Sequence, residues 1–165
     1  MRLAKWLLPV LGAALAGAAC SDLDRYATRQ DEVWRGKVVE SRYVRRGFAG
    51  GPTLELAPLD LSNTTSAPGR ISTSDGTFVD AALLPIAPAA YDALGEIDLG
   101  AGHARSFPFF VEVSAGPHAG ELALAVLSLL EDDTLELRIV RGTGADPEGD
   151  DLYGLFPLTR QKRDG

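Results

Sequence analysis

From Glu32 to Leu158, apolar and polar residues alternate with a period of two over short runs, and turn residues cut each run before a 3.6-residue period can establish itself. Glu32 to Val44 is rich in β-branched and aromatic residues with charges interleaved, and Gly47, Gly50, Gly51 and Pro52 break it. Thr53 to Leu61 resumes with Leu54 and Leu56 on one face, and Pro58 restricts its second half to a sheet edge or a bulge. Asp75-Gly76, between Arg70–Ser74 and Thr77–Leu84, is the strongest short-range hairpin signal in the chain. Pro88 followed by AAYDAL and then Gly95 predicts one short helix over 89–94. Ser106 to Ser114 places Phe107, Phe109 and Val111 on one face, and Phe110 and Val113, on opposite parities, predict either burial on both sides or a bulge near Pro108.

Glu121 to Leu130 is ambiguous in isolation, because its alanines and leucines also favour a helix. Thr134 to Arg141 is not ambiguous: it alternates with Leu135, Leu137 and Ile139 inward, and the link Glu131-Asp132-Asp133 has hairpin length. Both runs are therefore expected as one long antiparallel pair. Gly142 to Asp151 is an acidic, glycine-rich loop, and Leu152 to Leu158 is the last strand. Seven to eight strands, one helix and no strand-helix repetition predict an all-β antiparallel barrel or sandwich. Internal glycines such as Gly36 and Gly154, which let strands curve, favour the barrel.

Ahead of this pattern the chain reads differently. Arg2 and Lys5 precede an uncharged apolar run, Trp6 to Ala19, which ends in small residues before Cys20, the one cysteine among 165 residues. The run is too short to span a bilayer comfortably, since a transmembrane helix needs roughly 20 apolar residues, so it reads as an export signal. Gly17-Ala18-Ala19-Cys20 resembles a bacterial lipoprotein signal, in which the cysteine becomes the first mature residue and carries acyl chains such as palmitate. Gly17 stands where that family usually has leucine, and Ala16-Gly17-Ala18 also fits ordinary signal cleavage before Ala19. Cysteine usage favours lipidation, which would consume a thiol otherwise left unpaired in an oxidising compartment. Ser21 directly after Cys20 resembles the outer-membrane sorting pattern, which implies a domain facing the periplasm or the cell surface. The organisation expected is a signal over 1–19, a tether over 20–31, a single β-domain over 32–159 and a basic tail over 160–165.

Without residues 1–20 the chain keeps 14 basic and 23 acidic side chains, a formal charge of −9. That acidity argues against nucleic acid as a partner and against a domain lying flat on anionic lipid. The remaining 145 residues suffice for one domain with a core.

Candidate chemistry is sparse. Asp146, Glu148, Asp150 and Asp151 offer carboxylates to calcium, but their spacing departs from the twelve-residue calcium loop. His103 and His118, both beside glycines, lack the further ligands that zinc would require and read as exposed loop residues. No Gly-x-Ser-x-Gly elbow supports a hydrolase, and Asn63-Thr64-Thr65 reads as a surface loop. Arg35, Lys37, Arg42, Arg45 and Arg46 concentrate positive charge in an acidic chain. With Trp34, Tyr43 and Phe48 among them, they form a candidate patch for an envelope protein or an anionic glycan. Phe107, Phe109, Phe110, Tyr153 and Phe156 would line a cavity if the barrel were open, and would fill its core if it were not. The function expected is that of a membrane-anchored, non-enzymatic binding module without a cofactor. The alternative is a carrier of a small hydrophobic ligand, with a hydrolase third.

Overall fold

A single antiparallel sheet curls into a nearly closed barrel. The computed structural model describes residues 22–39, 51–62, 66–87, 103–130, 132–141 and 152–163, without the side chains of residues 103, 104, 152 and 153. Its nine strands are β1 (Glu32–Lys37), β2 (Thr53–Leu59), β3 (Gly69–Thr73), β4 (Ala81–Ala82), β5 (Leu84–Pro85), β6 (His103–Glu112), β7 (Leu122–Leu130), β8 (Leu135–Arg141) and β9 (Leu152–Lys162). The spatial order is β4-β3-β2-β1-β9-β8-β7-β6-β5. Every sequence neighbour is thus a spatial neighbour, and β1 against β9 joins the two ends of the chain.

The count exceeds the expected seven to eight because one stave is split. β4 pairs with β3, β5 pairs with β6, and only Leu83, fully buried, lies between the two. Eight staves make a barrel whose interior is just wide enough for side chains to fill. Here Leu54, Leu56, Leu59, Ile71, Phe78, Leu127, Leu135, Leu137 and Phe156 fill it, each at most 1% exposed.

The local reasons are legible strand by strand. In β7 the alanines face inward: Ala123 and Ala125 are fully buried opposite Val111 and Phe109 of β6. Small residues facing large ones interdigitate, which settles the helix-or-strand ambiguity in favour of the strand. In β8 Leu135, Leu137 and Ile139 are inward as expected, and Leu137 faces Leu127 and Phe156 across its two neighbours. The outer side of β8 is less open than the alternation implies. Glu136 and Arg138 are only 15% and 14% exposed and lie 3.3 Å apart. Leu137→Ala is accordingly expected to cost about 2–5 kcal/mol, and Glu136→Ala about 1 kcal/mol, since its partly buried contact with Arg138 is lost. Urea unfolding of both variants checks the facing, and equal losses would refute it.

Several boundaries differ from expectation. Residues 22–31 of the stretch assigned to a tether are built into the barrel: Leu23, just before a 3₁₀ turn at Asp24–Tyr26, and Tyr26, its last residue, belong to the core. A three-residue turn puts positions i and i+3 on one face, so these two side chains can be buried together. At the other end, β9 runs on to Lys162, so the first three residues of the supposed basic tail, Arg160 to Lys162, are strand. Thr77 to Asp80 is not strand. It is a connection that drops Phe78 into the core, held by Phe78 N–H donating to Thr73 Oγ1 at 3.0 Å. The Asp75-Gly76 turn is present, with Gly76 at φ +76° and its N–H donating to Thr73 O. Pro58 sits at a register shift between Leu56 and Leu59, inside the sheet and not at its edge. In β6 the shift falls between His103 and Arg105, while Pro108 keeps register with Val126. The helix over 89–94 lies outside the described residues.

Candidate functional site

Strand direction separates the barrel into two ends. β1 and β8 start, and β7 and β9 finish, at the end that carries the 3₁₀ turn, here called the floor. The β3–β4 and β6–β7 connections lie at the opposite rim.

Of the predicted basic patch, Arg35 faces Glu55 across the β1–β2 ladder and binds it with two nitrogens at 2.7 and 3.0 Å. Lys37 is exposed near the rim. Arg42, Arg45 and Arg46, with Tyr43 and Phe48, lie outside the described residues, as do Cys20, Asn63 to Thr65, Asp146, Glu148, Asp150 and Asp151. Trp34 does not join the patch: it points inward and is 2% exposed, because its neighbours in the alternation are the outward Arg35 and Val33. His118 is 8% exposed, which corrects its assignment to an exposed loop. The turn folds it inward, with Glu121 N–H donating to His118 O at 3.0 Å and Glu121 Oε2 3.7 Å from its Nδ1. The side chain of His103 is not described. Among the described residues, no group of three His, Cys, Asp or Glu could hold a metal ion. Phe109 and Phe156 are core and Phe107 packs against it, while Phe110 is half-buried on the outer face opposite Leu84 and Leu124.

The floor holds a constellation absent from these expectations. Trp34 faces Arg160 across the β1–β9 ladder, and the guanidinium lies over the indole at 4.8 Å from the ring centre. Arg160 Nη1 reaches Glu32 Oε2 at 3.3 Å, and Nη2 donates to the carbonyl of Arg25 in the 3₁₀ turn. The Trp34 indole N–H donates to Tyr26 O at 2.9 Å. One cation and one ring thereby fasten the N-terminal turn to both closing strands.

A second guanidinium completes the arrangement. Arg25 stacks over the Tyr26 ring at 4.9 Å, donates to its hydroxyl at 3.0 Å and meets Asp133 at 3.0 Å. Asp133 occupies the β7–β8 turn at φ +64°, a left-handed position that Asp and Asn tolerate better than most residues. Asp132 closes the same turn by accepting both the backbone N–H and the hydroxyl of Thr134. Between these groups lies a surface recess of about 270 Å³, lined also by Thr134 and Thr159.

The electrostatics follow from the contacts. For Arg25, desolvation pulls downward, but Coulombic attraction from Tyr26, Asp133 and Asp22 outweighs it and raises the guanidinium above its ordinary value. The hydroxyl and then the backbone N–H of Thr134 hold the Asp132 carboxyl below the usual carboxylate range. The recess thus presents two permanent cations and the Asp133 carboxylate around aromatic walls.

Arg25 and Arg160 were missed because they fell in segments read as tether and tail. A usable signal was present for Arg160: Phe156, Leu158 and Arg160 share the inward parity of one strand. Nothing comparable marks Arg25 or Asp133, whose partners come from distant segments. The chain matches no family model, and no match was found among curated proteins or solved structures.

Proposed function

We propose that the chain is an envelope lipoprotein, anchored through acylated Cys20 in the bacterial outer membrane, whose barrel acts as a non-enzymatic binding module. The observation that carries this reading is the sequence Met1 to Cys20 placed only three residues ahead of Leu23, the first side chain packed into the core. An acyl anchor there would hold the barrel by its floor with almost no tether. Several acyl chains, at ~0.8 kcal/mol per buried methylene, would make the hold permanent. The filled interior weighs against the carrier reading, because a ligand calyx of roughly 300 Å³ or more would have to displace core side chains. Recognition is therefore assigned to outer surfaces: the basic segment with Lys37, Arg42, Arg45 and Arg46 for an envelope protein or anionic glycan, and the floor.

The test is Cys20→Ala in the native host. The variant is expected to lose metabolic labelling with palmitate and to leave the membrane fraction, or to accumulate as unprocessed precursor. A variant that remains membrane-bound at mature size would refute the anchor.

A further inference from the structure

We propose that the floor recess seats the zwitterionic headgroup, phosphate plus primary ammonium, of a phospholipid in the membrane that Cys20 enters. The inference rests on the lipoprotein reading for the source of the ligand, but not for its chemistry. One residue, Ser21, separates Cys20 from Asp22, where the described chain begins, and two steps along the chain span at most about 7 Å. The floor would consequently lie at headgroup depth.

Its charge matches a zwitterion better than a simple anion. Arg160 is committed to Trp34, Glu32 and a backbone carbonyl and forms a fixed wall. Arg25 and Asp133 are different: their side chains are 49% and 66% exposed, and exposed ion pairs are weak enough to be exchanged. A headgroup entering between them replaces the Arg25–Asp133 pair by two, its phosphate on Arg25, which also meets Asp22 at 3.5 Å, and its ammonium on Asp133. The Thr134 hydroxyl is already donated to Asp132, and the Tyr26 and Trp34 rings lie buried beneath the two guanidinium groups, so recognition falls on Arg25 for the phosphate and Asp133 for the ammonium. At about 270 Å³ the recess suits a headgroup and excludes the acyl chains, which stay in the bilayer.

Trp34 reports on this site without a label. The chain has two tryptophans, and the other, Trp6, lies in the segment removed on processing. With the mature acylated protein in nonionic detergent, glycerophosphoethanolamine is expected to change Trp34 emission saturably. Glycerol phosphate and ethanolamine, each carrying one of the two charges, should bind about tenfold more weakly or worse, since each forgoes one charged contact. Asp133→Asn keeps a residue suited to the left-handed turn and should retain the unfolding temperature while losing that preference. In vesicles, emission should shift when phosphatidylethanolamine is added to phosphatidylglycerol and not in phosphatidylglycerol alone.

Equal binding of glycerol phosphate, or an Asp133→Asn response identical to wild type, would overturn the zwitterion site. Binding of the free headgroup without any vesicle effect would overturn the membrane as its source. A Trp6→Phe, Cys20→Ala protein separates the two readings: without acyl chains and with Trp34 as its single tryptophan, processed or not, it should still bind the free headgroup if the recess is correctly assigned, and failure there would overturn the site whatever the fate of the anchor.

Discussion

Gly36→Ala is expected to be the most damaging single methyl group in the molecule, lowering stability by about 3–5 kcal/mol or abolishing folding, because overpacking against a backbone has no soft direction in which to relax. A Cβ at Gly36 would stand 1.8 Å from the carbonyl oxygen of Pro157 and 2.8 Å from its carbon. Both belong to β9, so the clash falls on the seam where the first and last long strands close the barrel. Gly36 also pairs with Leu54 of β2, so β1 cannot shift away without breaking its other ladder. Gly76→Ala is the control. Gly76 has φ +76° with nothing within 4 Å of its would-be Cβ, so it carries only the conformational cost, on the order of 1 kcal/mol. Denaturant unfolding of the two variants should separate strongly, and a Gly36→Ala protein with near-native stability would mean that β1 and β9 do not close as described.

That glycine was visible in the sequence as a device for curvature, but not as a seam. The period-two alternation carried β2, β6, β7 and β8 and the inward faces of Leu135, Leu137 and Ile139, because a half-buried strand must write its facing into every second residue. It failed where burial comes from a single plug. Phe78 is buried by a turn and not by a ladder, so Thr77 to Leu84 looked like a strand while only Ala81–Ala82 and Leu84–Pro85 pair. The same limit hid the floor. Leu23 and Tyr26 were the only large apolar residues in a polar stretch, and two residues are too few to establish a period. Their burial depends on a surface assembled from β1, β9 and the β7–β8 turn, more than a hundred residues apart in the chain. Outward parity also does not guarantee exposure. Val33 is fully buried, Val126 2% exposed and Ser128 1% exposed, although their parity assigns them to the outside of the barrel.

The floor supplies the second large effect, because Trp34 serves at once as core, hydrogen-bond donor and platform for a cation. Trp34→Ala is expected to cost about 3–5 kcal/mol, the range for removing a buried large aromatic side chain. Trp34→Phe should cost about 1–2 kcal/mol. It preserves a ring beneath Arg160 but leaves the buried carbonyl of Tyr26 without the indole N–H, and an unsatisfied buried acceptor has a penalty of that size. Arg160→Met keeps an apolar stem over the indole while losing the stack and the bond to the Arg25 carbonyl, so about 1–2 kcal/mol is expected there as well. Because Trp34 and Arg160 touch, their losses should not add: the double variant Trp34→Phe, Arg160→Met is expected to fall short of the sum by about 0.5 kcal/mol or more. Circular dichroism in denaturant gives the stabilities without relying on the indole. Hydrogen exchange gives the location, since loosening the clamp should release the N–H of Thr28, which donates to Leu59 O at 3.0 Å and ties the segment after the turn to β2. Additive losses, or a Thr28 amide that exchanges no faster in the variants, would show that the barrel closes its floor without this clamp.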